Sequence, residues 1–175
     1  MAGDPSKANI WPDADVYVGP LSASPPADVN TPFGPDWDLV GLLDGEQGFS
    51  QEREEEVTDH YAWGGILVRT SRRNFKLTVS FQALEDNDVV RGLVWPASPP
   101  GEIVVPRPPR VKIAFETREG AKIKRLISRH AAEVTVSEAI TEAEGDLTRF
   151  PLVATIFPDA SGVLFDEQRS EDASF

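Results

Sequence analysis

The chain has 175 residues, enough for one domain with a substantial core. Lys and Arg number 17 against 29 Asp and Glu, a net charge of −12 that argues against a protein gripping nucleic acid through its phosphates. Hydrophobic content of 40% supports folding, and the absence of cysteine excludes disulfides, thiolate metal sites and cysteine nucleophiles. The 15 prolines and 13 glycines are scattered as punctuation, which favours short strands joined by turns. No run is apolar for long enough to span a membrane as a helix, and no basic stretch followed by an apolar run opens the chain, so neither a span nor a secretory signal is expected.

Residues 1–36 read as an N-terminal arm carrying one strand near 15–19, because Pro25, Pro26 and Pro32 interrupt any ladder. Trp37 to Leu43 has strand character and ends at the turn signal Asp44-Gly45. Over residues 46–59, Glu52, Glu54, Glu55, Glu56 and Asp59 crowd together with only Arg53 beside them. Like charges this dense resist compaction, giving either a solvated mobile loop or a long hairpin loop ordered only against a neighbouring molecule. Trp63 to Thr70 reads as a strand and Ser71 to Asn74 as a polar turn. From Phe75 the alternation is clean: Phe75, Leu77, Val79, Phe81 and Ala83 on one face, Lys76, Thr78, Ser80 and Gln82 on the other.

Asn87 or Asp86 can cap a short helix over 87–95, with Val89, Val90, Leu93 and Val94 at helical spacing and a stop before Pro96. A Pro-rich linker over 96–109 leads to strands at 110–117 and 121–129, turning at Arg118-Glu119-Gly120. Residues 132–137 and 150–157 look like a further antiparallel pair; between them, 137–144 is either a short capped helix or a strand. Residues 158–175 are a polar, acidic C-terminal arm. The sum is a single mainly β domain over 1–175, a sandwich or partly closed barrel with one short flanking helix, its β core at 37–157.

Little here assembles chemistry. His60 and His130 have no partner at metal-ligand spacing, although Asp59 stands beside His60. The pairs Asp13/Asp15, Asp36/Asp38 and Asp86/Asp88 offer too few oxygens for a cation. Gly64-Gly65, inside a strand-like segment, suggests a bulge or a close backbone approach. No nucleophile, base and orienter come together, so neither an enzyme nor a cofactor is expected. Basic residues cluster at Arg69, Arg72, Arg73 and Lys76, and again at Lys122, Lys124, Arg125 and Arg129. Without interleaved aromatics they suit acidic surface on another copy, such as Glu52, Glu54, Glu55 and Glu56, better than nucleic acid.

The segment from Trp37 to Trp95 resembles the major tail proteins, or tail tube proteins, of long-tailed bacteriophages, especially those of actinobacterial hosts. Carrying the resemblance are Trp37 to Gly41 with Asp44-Gly45, the acidic stretch ending at Trp63-Gly64, the alternating strand Phe75 to Leu84, and the helix opened by Glu85 to Asp88. Arg149 to Leu152 and Phe157 to Asp159 add a compatible ending. The resemblance implies a virion protein whose homohexameric rings stack into a tube. Double-stranded DNA passes through it unbound, and tape-measure, tail-terminator and distal tail proteins are partners. It also implies assembly in the bacterial host cytoplasm, with the long loop and arms bridging subunits and rings. Thr78, Ser80 and Gln82 are then the candidate channel wall. A non-enzymatic decoration or receptor-binding module of a phage particle or cell surface is the alternative.

Overall fold

Alternating side chains give each strand an apolar and a polar face, and the computed structural model, which describes residues 7–170, stacks the apolar faces in two layers. In chain order the elements are β1 (Asp13–Gly19), β2 (Asp38–Leu39), β3 (Ser50–Ala62), β4 (Ile66–Ala83), α1 (Asp88–Val94), β5 (Arg110–Glu119), β6 (Lys122–Ser128), β7 (Ala131–Val136), β8 (Phe150–Phe157) and β9 (Phe165–Arg169). One layer runs β2-β1-β5-β6-β9, the other β7-β8-β4-β3, and every pairing is antiparallel. Strand β5 belongs to both layers, since Arg110 and Val111 pair with β7 while Ala114 to Glu119 pair with β6. The protein is therefore mainly β and sandwich-like, with one short helix among the described residues, as the alternation predicts.

Phe115 of β5 sits at the centre of the core, its ring 5.8 Å from Phe81 of β4, 5.2 Å from Phe49 and 6.4 Å from Phe165, each edge-on. Helix α1 begins where Asn87 Oδ1 accepts the Val90 N–H at 2.9 Å, and it buries Val90, Leu93 and Val94 in the same cluster.

The arms are more integrated than the sequence suggests. Strand β1 lies inside its sheet, between β2 and β5, and residues 20–37 fold back as a strap over the outer face of that sheet. Gly19 permits the reversal, because a Cβ there would stand 2.8 Å from the Asp36 carbonyl oxygen. Trp37 and Ala23 are buried against Ala114 and Ile127, and Phe33 stacks on Tyr17 at 4.1 Å. Donors rising from the sheet catch the strap's carbonyls: Lys112 Nζ donates to Ala23 O (2.8 Å), Gln168 Nε2 to Pro26 O (2.7 Å), and Arg125 to Thr31 O (2.8 Å) and Asp28 O (3.1 Å). The C-terminal arm supplies β9, which pairs with β6. The parts of both arms at 1–6 and 171–175 lie outside the described residues.

Other expectations need correction. The strand expected over 37–43 shrinks to Asp38–Leu39, and residues 137–144 are neither helix nor strand. Residues 50–59 are strand rather than loop, and Ser71 to Asn74 continue β4 instead of turning. The turn falls at Trp63-Gly64-Gly65, where both glycines have positive φ, at 89° and 77°.

Arg125 is 5% exposed and Glu116 2%, and Glu116 accepts hydrogen bonds from both Arg125 and Arg118. Replacing Arg125 with Met strips a buried carboxylate of one cation and frees two strap carbonyls. Chemical denaturation should show a loss of about 3 kcal/mol; a change within about 0.5 kcal/mol would contradict this account of the strap.

Candidate functional site

Strand β8 covers β4 only from Leu77 to Ala83. Beyond that line β3 and β4 continue alone as a two-stranded ribbon, over residues 53–76, in which nearly every residue is exposed on both faces. Charge explains why so acidic a run pairs. Glu54 lies opposite Lys76 (4.0 Å between charged atoms), Arg72 donates to Glu55 at 2.7 Å, Glu56 faces Arg73 in register, and Asn74 Nδ2 donates to Glu56 Oε2 at 2.8 Å. Glu54, Glu55 and Glu56 of the acidic run thus lie across the ladder from Arg72, Arg73 and Lys76 of the first basic cluster in the same chain. Two register shifts interrupt the ladder, one between Glu54 and Glu56 and one between His60 and Tyr61, and Asn74 takes a φ of 57° at the first.

Asp59 and His60 point to opposite faces and serve different partners: Thr70 Oγ1 donates to Asp59 at 2.7 Å, while Ser71 Oγ lies 3.3 Å from His60 Nε2. They do not form a base pair of the catalytic kind. Val57, Tyr61, Ile66, Leu67, Val68 and Phe75 are all about half exposed or more. Phe75, expected on the buried face with Leu77, Val79, Phe81 and Ala83, lies beyond the cover of β8 and is 49% exposed.

On the polar face of the second layer, cross-strand registers build two rows: Glu52, Thr78, Thr155 and Glu133; then Ser50, Ser80, Val153 and Thr135. Thr78 and Ser80 are half-buried by their flanking strands, and the Gln82 side-chain oxygen is closed off from solvent without a hydrogen-bond donor among the described residues. This face is small, polar and flanked by carboxylates.

The second basic cluster is divided by the alternation of β6. Lys124 faces the space between the layers, whereas Arg125 points under the strap and is corrected from surface patch to internal clasp. Arg129 is held by Asp166 and Asp159. Lys122 lies opposite Glu119 at the β5–β6 turn. Asp13 and Asp15 both accept hydrogen bonds from Arg118, at 2.9 and 2.6 Å, which occupies that carboxylate pair. Asp44, pinned by a 2.8 Å hydrogen bond from Arg149, is held below the usual carboxylate range, so its contribution is present at neutral pH and is lost as pH falls through that lowered value.

No protein-family profile and no curated protein matches the chain.

Because Glu54, Glu55 and Glu56 lie across from Lys76, Arg72 and Arg73 in the same chain, changing all three to Lys sets like charge against like. At about 0.2–1 kcal/mol per exposed pair, amide exchange across 53–76 should quicken roughly tenfold, with recovery when Arg72 and Arg73 become Glu. Unchanged exchange would contradict cross-strand pairing as the source of order.

Proposed function

We propose that the chain is a structural, non-enzymatic virion protein, the tail tube subunit of a long-tailed bacteriophage. It assembles in the host cytoplasm into stacked hexameric rings around a channel for the genome, and works in the virion tail. One observation carries this reading: among the described residues, the ribbon at 53–76 pairs with itself and covers nothing else of its own chain. Isolated two-stranded ribbons are marginal in water, and the exposed Val57, Tyr61 and Leu67 find burial only on another molecule. The resemblance noted above points to the same kind of molecule.

The Thr78 and Ser80 face supports a channel wall. Its side chains are short and neutral, and Glu52 and Glu133 present negative charge that repels a passing phosphate backbone instead of binding it. Tape-measure, tail-terminator and distal tail proteins are the partners this role requires.

Negative-stain microscopy of the purified chain tests the proposal. Hollow rings or tubes of uniform width are expected; compact monomers or trimers would overturn it in favour of a decoration or receptor-binding module. The wall has its own check. A cysteine at Ser80, in this cysteine-free chain, should react with a small maleimide but not with a polymer-linked one once tubes have formed. Equal labelling by both would place that face outside the channel.

A further inference from the structure

The ribbon ends in Trp63, which is fully exposed (101%) at the turn, with Tyr61 and Ile66 bare on either side. At the base of the same ribbon a cavity of about 330 Å³ opens between the two layers, walled by Trp11, Phe49, Val79, Phe115 and Leu126, with Lys124 at its polar side. A dry apolar cavity of about 150 Å³ accommodates a benzene ring, so this one is large enough for an indole. The Lys124 ammonium has no hydrogen bond or salt bridge among the described residues. Burial pushes its pKa down and the nearby Arg169 adds to the shift, while Glu167 opposes it. A half-buried cation beside aromatic walls is satisfied by the π face of an entering ring.

We propose that the occupant of this cavity is Trp63 of a second copy of the chain, a knob-in-socket contact that rests on the self-assembly reading above. The knob cannot enter its own socket, because the extended strand from Gln51 to Ala62 holds the turn that carries Trp63 roughly 35–40 Å from it. Knob and socket are different surfaces at opposite ends of one ribbon, so each copy gives one and receives one. Such a heterologous contact propagates head to tail, into a closed ring or an open column. Tryptophan in an enclosed pocket is the side chain that most often dominates an interface, and the other exposed ribbon residues then serve as its surround.

The absence of native cysteine gives a direct test in the full chain. Gln51→Cys and Ala62→Cys place one thiol at the socket rim and one beside the knob. Within a chain they stand far beyond the roughly 7 Å limit for a disulfide, so any bond formed joins two chains. Under mild oxidation a ladder of covalent multimers is expected on non-reducing electrophoresis. Adding Trp63→Ala, which removes no core contact, should cut the ladder at least about tenfold, while Trp63→Phe retains most of it. Assembled particles without a ladder, or a ladder indifferent to Trp63→Ala, would overturn the knob-in-socket contact and leave self-assembly standing. A chain that sediments as monomer at every concentration would overturn both.

Discussion

A ribbon two strands wide has no second layer, and that constraint governs the part of this molecule that reaches furthest from its core. Inside the sandwich, Leu77, Val79, Phe81 and Ala83 are ordered by what lies above them. Once β4 passes beyond β8, the ladder to β3 and the side chains facing across it are all that order the chain. Opposite charge across the ladder supplies part of that order, at the modest strength typical of exposed pairs. Tyr61 and Leu67 also face each other across the ladder, yet they and the other apolar residues along the ribbon stay about half exposed or more.

The strap over residues 20–37 shows the contrasting solution. It is proline-rich and makes no ladder, yet it buries Ala23, Pro26, Val29 and Trp37 against the sheet and is tied down from several strands. Lys112, Arg125 and Gln168 reach its carbonyls from three strands, and Trp37 donates its indole N–H to Ser24 O at 2.9 Å. Buried backbone acceptors are thereby satisfied without regular structure. The two segments contrast: the strap is packed onto the sandwich, and the ribbon extends beyond it.

Legibility in the sequence followed the range of the interactions. The Asn87 cap, the alternation from Leu77 to Ala83 and the hairpin of β5 and β6 are set by neighbours a few residues apart, and all were readable. The acidic run at 50–59 was not, because its stability depends on Arg72, Arg73 and Lys76 lying opposite, after a turn that Trp63-Gly64-Gly65 makes and Ser71 to Asn74 only imitate. Arg125 was misplaced for a similar reason. A basic residue in a basic cluster reads as surface until Glu116, Asp28 and Thr31 are brought to it. The inter-layer cavity left no local signal at all, since Trp11, Phe49, Phe115 and Leu126 come from separate parts of the chain. The density of charge at 50–59 suggests a loop, and the structure makes the same residues a strand.

Strands β3 and β4 stand out from the sandwich as an extended ribbon in the single chain. Spin labels on cysteines at Ser50 and Ala62, both exposed and at opposite ends of β3, measure this by pulsed dipolar spectroscopy. A straight strand predicts a narrow distance distribution centred near about 40 Å. A broad distribution reaching to short distances, as a collapsed or unpaired acidic loop would give, would contradict it.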